Sequence, residues 1–461
     1  MRYGERVKFD ELRKKHPKFI YESFKTRKTG GQLVIAFRFR LEPDIVFEPQ
    51  ITIPADGRID ERVVNLFGFH LGLVECISYW KAACPAELVI EAGSLTKEQI
   101  AWWHDFFIHG LGEFFFKNDI DFTKKNLLTI RSGKNTSTFQ PASVPSPDPP
   151  NGDIVLVGGG KDSAVSLELL KKSGRPTRPL VLNPTRAALD NIKIAGLPDP
   201  LIVLRTIDPT LLELNKAGYL NGHTPFSAYL AFLGTFVAVL SGYQHVVVSN
   251  EASSNEGNVL FHGFEVNHQY SKSFRFEKRF RKYCQKYLTP SHHYFSFLRP
   301  INEFQISMLF SQYPQYFPSF RSCNVGAKQD RWCGACAKCA FVYLSLFPFV
   351  SYERMGAIFG TDLFTKPETI AFIRELVGLG VQKPFECVGT KEEARLALAL
   401  SIKKYQRLGK EAPQKLMEVE KELGGLAVDQ LKKISMNAWN RQHFLPDLYE
   451  GLLKDALNRS V

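Results

Sequence analysis

A chain of 461 residues is longer than one hydrophobic core organises, which excludes a single small domain. A composition 44% hydrophobic and 23% charged excludes wholesale disorder, and an aromatic fraction of 13%, with 37 Phe, points to cores or pockets built from flat rings. The formal net charge of +12 favours anionic partners, but separates neither nucleic acid from nucleotides nor phosphates from acidic metabolites.

Residues 1–130 read as an α+β domain. Leu33 to Arg40 alternates as a strand does, and Leu95 to Phe116 is an aromatic helical segment carrying Trp102, Trp103, Phe106 and Phe107. The polar start, with no apolar leader, predicts a cytoplasmic protein whose cysteines are reduced or metal-bound. Residues 131–152 turn to Ser, Thr, Pro and Gly and read as a linker. After it come strand Ile154 to Val157, a Gly-rich turn, helix Ala164 to Lys172, strand Pro179 to Leu182, helix Arg186 to Ala195 and strand Leu201 to Leu204. Such βα repeats predict an α/β architecture with a parallel, doubly wound sheet over 153–345. Thr224 to Gln244 carries no ionised side chain and is long enough to span a bilayer, but its Pro225, Gly234 and Gly242, and the strand-like Val246 to Val248 behind it, predict a buried helix and no membrane contact. Residues 346–461, with amphipathic Lys391 to Gln406 and Gln414 to Glu422, should form a helical C-terminal region.

The turn after the first of these strands is Gly158-Gly159-Gly160-Lys161-Asp162-Ser163. Three glycines opening a helix let successive N–H groups converge on an oxyanion, and the helix N-terminus adds partial positive charge. Lys161 is suited to neutralising phosphate, Asp162 to holding Mg²⁺, and Ser163 to donating to a phosphate while capping the helix. Asp162 stands where a Walker loop needs Ser or Thr, so the kinase-type P-loop is excluded. The segment instead resembles the Ser-Gly-Gly-x-Asp-Ser loop of PP-loop ATP pyrophosphatases, an adenine nucleotide alpha hydrolase-like fold, with Gly158 in place of the first Ser. That resemblance implies ATP cleaved between its α- and β-phosphates while a substrate oxygen forms an adenylate.

Downstream, Cys323, Cys333, Cys336 and Cys339 have intervals of nine, two and two residues. Four thiolates suit a closed tetrahedral site, so structural Zn²⁺ leads, with an iron–sulfur cluster the competitor and free thiols the plain alternative. Cys76, Cys84, Cys284 and Cys387 read as ordinary core or surface residues. Between loop and cysteines lie polar runs at Asn221 to Pro225, Ser249 to Asn258 and Val266 to Ser273. Ligands of open α/β sheets bind beyond the carboxyl ends of strands, which places Ser249 and Asn250 with the nucleotide. Lys272 to Lys286 holds seven basic residues against one acid, Glu277: a solvated face, or a wall for a polyanion.

Together, His223-Thr224-Pro225, Ser249-Asn250-Glu251, Asn267 to Ser273, Trp332 to Phe341 and Pro384 to Gly389 resemble the MurL-type UDP-N-acetyl-α-D-muramoyl-L-alanyl-L-glutamate epimerase family, as do Ile77 to Ala82 and Gln99 to Trp103. The resemblance implies an isomerase of peptidoglycan synthesis that uses ATP and Mg²⁺ and takes a UDP-sugar peptide as substrate. Adenylation makes sense for it: an acyl-adenylate spreads carbanion charge into a neutral carbonyl, whereas a free carboxylate would carry a second negative charge. The proton exchange then needs a base and an acid, for which His223, Glu251, His268 and Lys272 are candidates. Arg275, Arg279 and Arg281 are candidates for binding the diphosphate or γ-carboxylate. A tRNA- or deazaguanine-modifying PP-loop enzyme that adenylates its substrate, and an ATP-sensing scaffold without turnover, are the rival readings.

Overall fold

The structure, a computed structural model, describes residues 3–55, 60–133, 151–326, 329–425 and 427–459. The first strands are β1 (Lys18–Thr29), β2 (Gln32–Leu41), β3 (Ile45–Phe47), β4 (Gln50–Pro54), β5 (Glu87–Ile90) and β6 (Thr129–Ser132). On β2, Leu33, Ile35, Phe37, Phe39 and Leu41 are buried while the residues between them are not, so one face meets the core and the other stays open. The helix Glu61–Trp80 packs on β1 and β2. It alone among the described residues is long and apolar enough to cross a membrane, yet 94% of its apolar window is buried inside the molecule. It is a core helix, and the apolar segment singled out in the sequence is likewise a buried helix, Phe226–Ser241.

The later strands are β7 (Asp153–Leu156), β8 (Thr177–Leu182), β9 (Leu201–Thr206), β10 (His245–Val248), β11 (Val259–Phe261), β12 (Phe264–Val266) and β13 (His293–Ser296). β7 and β10 are buried along their whole length, which is why they read as unbroken apolar runs. β13, β10, β7, β8 and β9 pair in parallel in that order, so the winding reverses between β7 and β10. Beyond β9 the sheet continues: β4 joins antiparallel, with Ile51 opposite Arg205, and the order runs on through β2, β1, β5 and β6. One mixed eleven-stranded sheet therefore spans both halves, where the βα repeats predicted only the parallel part. Alternation in β4 signals a half-buried strand but not its partner, which lies about 150 residues away in sequence. Of the Ser/Pro-rich segment, Arg131 and Ser132 end β6, and residues 134–150 lie outside the described residues.

Aromatic packing ties the halves together above the sheet. Trp102 and Trp103, on the helix Lys97–Gly110, meet Phe232 of Phe226–Ser241 and Tyr283 of the helix Phe274–Tyr287, and Phe106 beside them meets Phe276. The Tyr283 hydroxyl accepts from Trp103 Nε1 at 3.0 Å and Gln99 Nε2 at 3.1 Å and lies 2.9 Å from His70 Nε2. The aromatic excess is thus core. The helices Ala337–Leu346, Pro367–Leu376 and Lys391–Arg407 form the C-terminal layer, and Lys391–Arg407 starts from a capping box in which Thr390 and Glu393 satisfy each other's backbone N–H groups.

A buried ion pair crosses the seam: the Arg205 guanidinium on β9 grips Glu75 of Glu61–Trp80 through two hydrogen bonds of 2.7 and 2.8 Å. Glu75 is 1% exposed, so removing its partner strands a desolvated charge. Arg205→Leu should cost about 3–5 kcal/mol in chemical denaturation, whereas a loss under 1 kcal/mol would mean that water reaches Glu75 on its own.

Candidate active site

β7 ends at Leu156, and Val157 to Gly160 turn the chain into the helix Lys161–Leu170. Gly159 sits at φ +85°, and a Cβ there would stand 2.6 Å from the Ala188 nitrogen, so only glycine fits. Gly158 is different: a Cβ would meet nothing within 4 Å, which explains why a serine can occupy that place in PP-loop sequences. Gly160 is the N-cap and no side chain caps the helix, so the first-turn N–H groups are not taken up by a capping side chain. Ser163 does not cap. Its Oγ accepts from the Gly158 N–H at 3.1 Å, which holds the loop's shape and leaves the hydroxyl proton free to donate.

The loop forms one wall of a cavity of about 440 Å³. Leu156, Leu180, Leu182, Leu230 and Leu233 make its apolar part; Gly158, Asp162, Ser163, Ser249, Asn250, Lys272, Arg321 and Lys338 bring the polar groups. The predicted positions Ser249 and Asn250, at the end of β10, meet the loop at the winding reversal, as open α/β sheets require. Lys161 does not line the cavity. It is 2% exposed and pairs with Glu303 and with Asp162, the latter at 2.5 Å. The cations that face the cavity are Lys272, Arg321 and Lys338.

Asp162, Glu251 and Glu303 bring carboxylate oxygens within 4.8 Å of one another. Burial pushes Asp162 up, but the ammonium of Lys161 and those of Lys338 and Lys272 pull it below the usual carboxylate range. Burial and the neighbouring Asp162 charge raise Glu303 to about 7, and burial also raises Glu251. Both Glu251 carboxylate oxygens are buried without a hydrogen-bond partner. Such hard oxygen donors could hold a divalent cation, which would supply the missing partner.

The four cysteines converge as the spacing predicts. Cys323 and Cys336 Sγ lie 3.9 Å apart, Cys333 and Cys339 Sγ 3.7 Å. Zinc–sulfur bonds of about 2.3 Å place tetrahedral sulfurs about 3.8 Å from each other, so one Zn²⁺ fits this cluster. An iron–sulfur cluster does not, because several irons would hold the thiolates farther apart. The Gly326 N–H donates to Cys323 Sγ at 3.1 Å, as an outer-shell donor to a thiolate should. The cluster also shapes the cavity: Arg321 N–H donates to the Gly159 carbonyl at 2.9 Å, Ser322 abuts Gly160, and Lys338 lies between two of the cysteines.

Of the residues expected to move protons, Lys272 lines the cavity, Glu251 belongs to the carboxylate trio, and His223 and His268 stand with ring centroids 4.2 Å apart beside Glu113. Burial and the His268 charge lower His223 to about 3. Burial would lower His268 as well, but Cys387 and Glu113 raise it to about 9. The arginines go elsewhere. Arg275 and Arg279 pair with Asp105 at 3.3 and 3.1 Å, and Arg281 donates to the Tyr294 carbonyl and stacks on Phe444. The basic stretch serves as a solvated and interhelical face, because its apolar side, Phe276, Phe280 and Tyr283, is buried in the aromatic core.

Sequence reading missed Glu113, Glu303, Arg321, Lys338 and Cys387. Lys338 and Cys387 fall inside the motifs that carry the family resemblance, the one signal that marked them. Glu113 lies in an aromatic helix, Gly112–Lys117, and nothing local distinguishes it.

Comparison with known proteins agrees over most of the chain. A family model described as the MurL N-terminal domain matches residues 10–297, and one described as the MurL C-terminal domain matches residues 319–430. A UDP-N-acetyl-alpha-D-muramoyl-L-alanyl-L-glutamate epimerase of Salinispora tropica is 37% identical over 365 residues, covering 76% of each chain. Its namesake from a Micromonospora species is 37% identical, covering 77% of this chain and 79% of its own. That of Xanthomonas oryzae pv. oryzae is 34% identical over 380 residues, 80% and 82% of the two chains. No solved structure matches significantly.

Two substitutions test the site's construction. Gly159→Ala adds roughly 1–3 kcal/mol of positive-φ strain and a backbone clash, so stability measured by chemical denaturation should fall by at least that amount. In Cys333→Ser/Cys336→Ser protein, elemental analysis should find the bound metal gone; unchanged metal content would refute the four-thiolate site.

Proposed function

The chain belongs to the MurL family, and on that premise we propose that it inverts the terminal L-glutamate of UDP-N-acetylmuramoyl-L-alanyl-L-glutamate to D-glutamate. ATP is cleaved to AMP and diphosphate in the process, and the product is a peptidoglycan precursor. In this reading residues 153–345 are a PP-loop nucleotide-binding unit, residues 1–130 bind the substrate, and residues 346–461 cover the site as a helical region. Work on a nucleotide-activated sugar peptide assigns the enzyme to the cytoplasm.

The observation that carries the proposal is the cavity, which sets an apolar slot of leucines beside a glycine loop with three cations and Asp162, the member of the carboxylate trio that lines it. A purine ring suits the slot, and the loop N–H groups with Ser163 suit the β- and γ-phosphates. Asp162 and Glu251 would hold Mg²⁺, which would draw charge from the phosphates. The substrate carboxylate attacks the α-phosphorus, the bond to the bridging oxygen breaks, and pyrophosphate leaves into the loop. Lys272, Arg321 and Lys338 offset the charge on the transferring group. The acyl-adenylate that results has an acidified α-carbon, at which proton exchange needs a base and a proton donor. Water then releases AMP.

The rival tRNA reading draws on the net charge, the cysteine cluster and the basic stretch, and in that stretch Arg275 and Arg279 are paired with Asp105 and Lys286 with Glu98. With ATP, Mg²⁺ and the UDP-sugar dipeptide, the enzyme should release AMP and yield D-glutamate on hydrolysis of the product, and Asp162→Asn should slow both by about 100-fold or more. AMP release that depends on tRNA, with no D-glutamate, would overturn the assignment.

A further inference from the structure

Cys387 read in sequence as an ordinary thiol, yet it lines the same cavity as the phosphate loop. Lys338, delivered by the cysteine cluster, donates through Nζ to the Cys387 carbonyl oxygen, and the His268 side chain interacts electrostatically with its thiol. His268 Nδ1 is taken by Glu113 Oε2, which leaves the other ring nitrogen for sulfur. Glu113 is 3% exposed and is held by Lys117 through its second oxygen. A carboxylate that orients an imidazole, which in turn meets a thiol facing a cavity, is the arrangement that keeps a thiolate reactive. Packing does not call for it, since Cys76, Cys84 and Cys284 are buried with no such company.

The charges agree. Burial pushes Cys84 and Cys284 up to about 12. At Cys387 burial acts in the same direction, but the ammonium groups of Lys272 and Lys338 and the His268 contact bring the thiol down to about 6.

We propose that Cys387 is the catalytic residue that removes the α-proton of the terminal glutamyl group, with His268, backed by Glu113, as its positioning residue. The proposal rests on the adenylation reading above, which supplies an α-carbon acidic enough for a thiolate. The sulfur lone pair takes the proton, so that Cα–H breaks, S–H forms and the bonding pair moves into the acyl carbonyl as an enolate. A solvent-derived proton added to the opposite face restores Cα–H with inverted configuration, and the thiol returns its proton to water. No oxidant or further co-reactant is needed.

The test separates the two half-reactions on the full chain. Substrate-dependent exchange of labelled pyrophosphate into ATP reports adenylation; deuterium entering the α-carbon in D₂O reports proton removal. Cys387→Ser, and Cys387→Ala as a second variant with its melting temperature checked, should keep pyrophosphate exchange and lose α-deuteration by about 1000-fold. His268→Gln should slow α-deuteration by about 100-fold and reduce alkylation of Cys387 by iodoacetamide, measured by peptide mapping. A folded Cys387 variant that still deuterates at the wild-type rate, or that loses pyrophosphate exchange equally, overturns the proposal, as does a substrate thioester trapped on Cys387. If the wild type shows no pyrophosphate exchange while Cys387→Ser still abolishes α-deuteration, adenylation is refuted and the thiol's role stands.

Discussion

Three carboxylates gathered around one buried ammonium set the terms for the rest of this structure. Asp162, Glu251 and Glu303 converge within 4.8 Å, and Lys161 is the ammonium among them. Such a cluster is costly to bury unless every charge is answered, and Glu251 remains unanswered by any protein hydrogen bond. The surrounding architecture follows from that demand. Lys272 and Lys338 add positive charge from two other segments, and Ser253 links Glu393 to the Glu303 backbone, tying the C-terminal helix to the site. A cation bound at Glu251 would complete the balance, which couples the site's stability to its ligand.

The same economy explains how distant parts of the chain meet. Glu113 comes from the N-terminal half, His223 and His268 from segments flanking the Phe226–Ser241 and Phe274–Tyr287 helices, Lys338 from the cysteine cluster and Cys387 from the turn before Lys391–Arg407. The antiparallel pairing of β4 with β9 and the aromatic contacts of Trp102 and Trp103 with Tyr283 fix these halves against each other. The site is therefore a product of the interface, and residues outside the cavity lining, Glu75 and Arg205 among them, help hold its geometry.

The cysteine cluster joins structure to chemistry in a comparable way. One ion at four sulfurs would staple the segment that hydrogen-bonds to the Gly159 carbonyl and carries Arg321 and Lys338. A metal closed to ligand exchange would thus shape the wall of the glycine-loop cavity.

Local chemistry made much of this legible in advance. The glycine triplet, the helix behind it, the four-thiol spacing and the apolar runs of β7 and β10 are each written within a few residues, because turns, caps and buried parallel strands impose their patterns locally. The direction of Lys161, the pairing of β4 with β9, the ion pairs of Arg275 and Arg279 with Asp105, and the placing of Cys387 near His268, itself held by Glu113, were decided only in three dimensions. Each depends on a partner remote in sequence, and a side chain's charge does not state which opposite charge it will find. What the residues determined alone was the kind of chemistry the loop can do. Which groups stand around it was decided by long-range packing.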